Sequence, residues 1–451
     1  MVQLAAFRDS GARRLLLASA GASVVAASLG VTVRGPGLGP RSPQRAVAPA
    51  GPLLRTVGVA AHPIALVDDA PTGRVFVFSR TTAESDTTSG ESRITVLDAG
   101  SGRVVHIFSL GHRAFVPTTY GAPLAAVDPR TGRVFVPTSR QLGSDGVPEG
   151  PGTVTVLDGR SGALLRTLPV GHAPLAVALD GRTRRVFVDN NGYQPTPQST
   201  TSADGGLSVL DADSGRQLAR MPDEGGTTLV VDERTQRVFA LGGSVVDILD
   251  AATGRRRARV VFPPDLGETG YYMAVDERAG RVLVGLEDGG LTNGLGLDAT
   301  TGAVVYSLDT QQPQRFVGGP LAVDPHTGHT VWVGLQGTHT NFYDVSTTDT
   351  RTGRLVRAGP SAGLEGTNGV GFAAAIATDP AHGRAVLVTA VTATGYNGDQ
   401  VAVIDTGSGR FRRVMELGAG PPAIAVDERA GRVFVANGGA NTVSVLDAAR
   451  L

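Results

Sequence analysis

The phrase Val-Asp-x-x-x-Gly-Arg-Val-Phe-Val returns, exact or slightly varied, eight times between Val67 and Val435. A chain that repeats one turn-and-strand unit about every 50 residues folds as a single array, because each unit buries its apolar face only against a neighbouring copy. The cleanest copies run over 127–136 and 426–435, others begin at Val67, Val231, Val275 and Val323, and Leu179-Asp180 and Thr378-Asp379 open the two most divergent units.

Residues 123–171 show how one unit reads. A short apolar strand at 124–127, a turn at 128–132 and a β-branched and aromatic strand at 133–136 make a hairpin. A polar loop then leads to a third strand at 153–157, a second Asp/Gly turn at 158–162 and a last strand at 164–170. The inner strands are almost continuously apolar, as strands covered on both faces are, whereas Arg166 in the last strand suits an outer edge. With 62 glycines, 5% aromatic residues and a core of Val, Leu and Ala, this pattern predicts an all-β chain. The architecture it implies is a β-propeller of four-stranded antiparallel blades, eight by unit count, with seven as the alternative.

Closure is written at the ends. The eighth unit stops after the strand 442–447, one strand short, while residues 53–59 echo 164–170 closely enough to supply it. The N-terminal strand is therefore expected to complete the last blade. Residues 53–451 form the propeller in this reading and residues 34–52, with five prolines, a linker. Residues 1–33 read as an export signal or membrane anchor: Arg8, Arg13 and Arg14 precede an uncharged stretch over 15–33, with small residues around Ala26 offering a cleavage site. The run Arg13-Arg14-Leu15-Leu16-Leu17 resembles a twin-arginine signal, so the expected location is extracytoplasmic, whether secreted, periplasmic or at the cell surface.

Formal net charge is zero and pI is near 7.1, so no global field recruits nucleic acid, and membrane contact is expected only through an N-terminal anchor. All 41 basic residues are arginine, which excludes Schiff-base chemistry and a P-loop; the absence of cysteine excludes disulfides and thiolate sites.

The recurrent Asp and Gly residues, such as Asp128, Gly132, Asp158 and Asp427, are assigned to turn-making, since a residue type present in every blade serves the blade. The run 211–215 has the start of a calcium loop but no Glu at its twelfth position, and Gly359-Pro360-Ser361-Ala362-Gly363 opens no helix, as a nucleophile elbow must.

The stretch 433–447, Val-Phe-Val-Ala-Asn-Gly-Gly-Ala-Asn-Thr-Val-Ser-Val-Leu-Asp, resembles the repeat of YVTN-type β-propellers, a group that includes YncE-like exported bacterial proteins and archaeal surface-layer proteins. The resemblance runs through all eight units, although members commonly have seven blades. It implies an extracytoplasmic binding or surface protein and carries no catalytic residue onto this chain.

What does not repeat collects in the connections between second and third strands, over 81–91, 141–151, 190–204, 287–293, 336–340 and 392–399, and in the link 112–120. Loops on a rigid scaffold carry recognition. His112, Tyr120, His172, Asn190, Asn191, Tyr193, His339, Tyr396, Asn397 and Asp399 are the candidate ligand-binding residues, with rings to stack and amides to hydrogen-bond. His62, His112 and His172 lie in similar connections and would be the start of a metal or general-base cluster, but no ligand spacing supports them, and ordinary packing is the simpler reading. No cofactor and no catalytic residue is assigned. The function expected is a monomeric, non-catalytic binding module for a protein, peptide or glycan; the alternatives are a propeller enzyme of lactonase or lyase type and a docking subunit for a redox partner.

Overall fold

The computed structural model describes residues 51–60, 62–80, 92–111, 124–139, 141–142, 148–149, 151–190, 205–222, 226, 228–262, 269–288, 291–308, 319–335, 343–360, 371–391, 400–417, 420 and 423–451. The chain divides into residues 1–48 and 49–451, and every described residue belongs to the second unit.

Eight four-stranded antiparallel sheets follow one another along the chain, each a propeller blade. Blade 3 is representative: Pro174–Asp180 is innermost, then Arg185–Asn190, Gly206–Asp211 and, outermost, Gln217–Met221. The second and third strands of each blade are apolar on both faces because both faces are covered. Eight apolar clusters result, one at each junction between consecutive blades. At the junction of blades 5 and 6, for example, Leu283 and Leu308 pack on Trp332, whose indole Nε1 donates to Thr348 Oγ1 at 3.0 Å.

The cluster between blades 8 and 1 closes the ring. Phe434, Val443 and Val445 pack there against Val75, Val77 and Leu97. Blade 8 takes its outermost strand from the other end of the chain: Leu53–Gly58 lies antiparallel to Thr442–Asp447, with Val57 opposite Val443, and Asp447 N donates to the Pro52 carbonyl at 2.8 Å. Eight blades and N-terminal closure are both as the repeat count implied.

The turns are built as their residue types dictate. In the first turn of blade 8, Asp427 Oδ1 accepts from Ala430 N at 2.8 Å, and Gly431 takes φ 63°. In the second turn of blade 2, Asp158 Oδ1 accepts from both Ser161 N and Ser161 Oγ at 2.7 Å. The glycine of that second turn also has a packing reason: a Cβ on Gly302 would stand 2.2 Å from Ile248 Cδ1 of the preceding blade.

Three features depart from the sequence reading. In blade 1 it is Asp69, not Asp68, that stands opposite the turn arginine and bonds Thr72, because the phrase beginning at Val67 carries one extra residue. Residues 287–293 were expected as a loop, but strands Arg281–Asp288 and Leu291–Asp298 stay paired as far as Asp288 and Leu291, leaving two residues to join them. The connection over 141–151 contains a short hairpin of Gln141–Leu142 with Pro148–Glu149. In both connections the described residues add strand pairing, which gives their backbone groups partners.

Candidate functional site

The face carrying both sets of turns is a network of inter-blade ties. Blade 3 has no glycine at the end of its first turn; Arg184 stands there with φ 59°. Its guanidinium spans three turns, donating to Asp128 Oδ1 at 2.9 Å and Oδ2 at 2.6 Å in blade 2 and to Asp213 Oδ1 at 2.9 Å in its own blade. Burial pushes the Asp128 carboxyl up, but the bonds from Arg184 and Thr131 outweigh it and hold the group at about 2. Asp211 is occupied by Ser214 and Arg185, and Asp213 by Arg184 and Arg130, so the calcium-like run 211–215 has its carboxylates committed to arginine.

Backbone amides are tied in the same direction. Gly181 N donates to Glu233 Oε1 of the next blade at 2.8 Å, and Glu233 N to Glu277 Oε1 of the blade after it at 2.7 Å. His329 Nδ1 is 2.8 Å from the Thr406 carbonyl of blade 7, and His382 Nδ1 2.8 Å from Asp379 Oδ2. At the closing junction the extra residue of blade 1 creates an unusual pair. The Asp68 carboxyl meets that of Asp427, and among the described residues no other group donates to Asp68 Oδ1 or Asp427 Oδ2. Burial first, and the Asp427 charge second, push Asp68 up to about 8.

The opposite face receives the variable connections, since an antiparallel second-to-third link lies at the other end of the strands from the turns. Of the ten candidate residues, His172 and Asn190 are described; His112, Tyr120, Asn191, Tyr193, His339, Tyr396, Asn397 and Asp399 lie outside the described residues. His172 ends the outer strand of blade 2, opposite Pro151. The counterpart of His62 is Ala173, not His172, since both precede a proline and share φ 49°. Asn190 is buried within its own blade, its Nδ2 donating to Gly206 O at 2.7 Å and Ser208 Oγ at 3.0 Å. Asn437 does the same in blade 8, on Thr442 and Ser444 hydroxyls, so this amide is a repeated device for closing the sheet end.

Sequence reading missed the neighbour. Asp189 is 2% exposed and lies between Ala176 and Leu207 of blade 3. Four residues after the turn arginine or its counterpart, the other blades carry Phe78, Pro137, Leu241, Gly285, Val333, Val388 and Ala436. A carboxyl thus occupies a position that is otherwise without a polar side chain. Its Oδ1 accepts from Gly226 N at the entry to blade 4, 2.7 Å away, and burial pushes its pKa up to about 7 against that bond. Aligning the eight repeats against one another was the available signal. Among the described residues no three His, Asp or Glu side chains stand together as a metal set.

Fold and turn network together define an eight-bladed β-propeller whose repeated polar residues join blade to blade. The chain belongs to the family described as outer membrane protein assembly factor BamB, whose model matches residues 203–450, more than half its length. No curated protein matches the sequence. Among solved structures it is similar to Kuenenia stuttgartiensis hydrazine synthase, at 14% identity and TM-score 0.50, over 75% of this chain and 99% of that one. It is also similar to Saccharomyces cerevisiae Sqt1, at 11% identity and TM-score 0.56 over 88% and 99%, and to the computationally designed Ika8 protein, at 16% and 0.50 over 86% and 97%. These likenesses are of fold.

Proposed function

We propose that this propeller is an extracytoplasmic binding module of YVTN and YncE-like type, which holds a protein, peptide or glycan with the variable connections of one face. One observation carries the reading: the repeated turn carboxylates sit at the opposite face, engaged by turn amides, hydroxyls and arginines, so diversity is left to the connections. The family description, an assembly factor of the outer membrane, supports both the location and a role in holding partners together. A thermal-shift screen of the purified chain against cell-wall glycans, divalent metals and small lactones tests it. Stabilisation by a glycan, lost when 392–399 is replaced by Gly and Ser, is the expected result; stabilisation by a lactone accompanied by turnover would overturn it.

The second reading, an enzyme, is favoured by Asp189, a lone buried carboxyl titrating near neutrality on the side of the variable connections. Turnover abolished by Asp189→Asn with the fold intact would establish that reading.

A further inference from the structure

Zero net charge conceals a segregation. The eight outermost strands contain nine arginines and one carboxylate, Glu416. In blades 4 and 7 part of that charge is answered internally, by Arg257 on Asp250 and Arg412 on Asp405. Blades 8, 1 and 2 are consecutive across the closure. Their outer strands Leu53–Gly58, Val104–Ser109 and Leu164–His172 hold no Asp or Glu. They also hold six of the nine large apolar side chains exposed among the described residues, including Ile107 at 47% and Leu164 at 58%. Arg103 precedes the blade 1 strand and Arg55 reaches toward the blade 1 turn, its Cδ 3.2 Å from where a Cβ on Gly102 would stand, while Arg166 is turned away to the Ser214 carbonyl of blade 3.

Among the described residues the middle strand of this arc, Val104–Ser109, pairs with Ser92–Asp98 and with no other strand. Val105 and Ile107, at the middle of this outer strand, are exposed. An apolar edge of this kind is a template for another strand. We infer that the outer strand of blade 1 takes an extended segment of a partner polypeptide, with alternating apolar and acidic side chains, as a fifth strand of the blade. The backbone argues for polypeptide over lipid, because hydrocarbon would leave the edge amides and carbonyls without partners. The arginines argue for carboxylates on the added strand and against a second copy of this chain, whose same edge would bring like charges together. This surface is separate from the variable connections, so it stands or falls apart from the function proposed above.

The test uses the full chain and a short fluorescein-labelled peptide in which Glu alternates with Ile and Val, followed by fluorescence anisotropy. Saturable binding is expected, weakened about tenfold or more by Ile107→Glu or by Val105→Glu through charge repulsion at the seat. It is also expected to weaken at about 0.5 M salt, to be lost with Lys in place of Glu, and to be lost when alternate peptide amides are N-methylated. Absence of saturable binding, equal binding by the N-methylated peptide, or equal binding by both variants overturns the inference. So does flotation of the chain with phosphatidylglycerol vesicles, or its dimerisation in ultracentrifugation, if either requires Ile107 and the peptide does not bind. A ligand found for the variable face should bind Ile107→Glu unchanged.

Discussion

Arg184 Nη2 lies 2.6 Å from Asp128 Oδ2, joining the first turn of blade 3 to the first turn of blade 2 through a carboxylate with no exposed side-chain surface. The arginine occupies a left-handed backbone position that glycine fills in most other blades. The strain of that conformation persists because the side chain is held at both Asp128 and Asp213. Replacing Arg184 by Ala leaves the Asp128 charge buried and without its cation. A loss of about 3 kcal/mol is expected in urea unfolding. The acid limb should change as well. Asp128 titrates at about 2 folded and near 4 unfolded, so its stabilising contribution is present above pH 4 and disappears as pH falls toward 2. Unfolding measured between pH 2 and 5 should show a shallower acid limb in the variant.

The Asp68 and Asp427 pair makes the closing junction sensitive to base. Asp68 holds its proton to about pH 8 in the folded chain but loses it near pH 4 when unfolded. The folded state therefore binds the extra proton, and stability falls as pH rises from about 4 through about 8. Asp68→Asn keeps the shape of the protonated group and removes that dependence. Melting temperatures of variant and parent should converge near pH 4 and separate in favour of the variant by pH 8. A parent curve that rises over this range would contradict the pairing.

Removal of the strand that completes blade 8 should destabilise the whole ring. A chain beginning at His62 loses the five residue pairs between Leu53–Gly58 and Thr442–Asp447, together with Val57 from the junction with blade 1. At roughly 1 kcal/mol per backbone hydrogen bond the loss is about 5 kcal/mol. Calorimetry should show one cooperative transition moved to lower temperature. Equal melting of chains beginning at Gly51 and His62 would disprove closure by this strand.

Asp189 separates a structural from a chemical role. Its folded pKa of about 7 exceeds the unfolded value, so its effect on stability is complete below pH 4 and is lost as pH rises through 7. Asp189→Asn retains an acceptor for Gly226 N and should flatten stability between pH 5 and 8. Asp189→Ala removes the acceptor and should cost about 1–3 kcal/mol, read in urea unfolding.

The fold was legible to an unusual degree. Blade number follows from counting one phrase, and the partner of residues 442–447 from the likeness of 53–59 to 164–170. Turn residues were legible because their chemistry is local: an Asp that accepts from an amide two or three residues on needs nothing beyond its own neighbours. Asn190 was less so, since its letter suits both a binding loop and a sheet end, and its bond to Ser208 is what distinguishes them.

By itself, then, the sequence determined the repeat, the strand order within each blade and the closing of the ring, all of which rest on hydrophobic period and turn chemistry acting over a few residues. Only tertiary structure decided which carboxylates meet across junctions. Asp68 with Asp427, Arg184 with Asp128 and Asp189 with Gly226 are set by how adjacent blades stack. Tertiary structure also decided where charge lies. A net charge of zero is an average over the chain, whereas which of its arginines reach a carboxylate, as Arg257 reaches Asp250 and Arg412 reaches Asp405, is decided by how the strands pack.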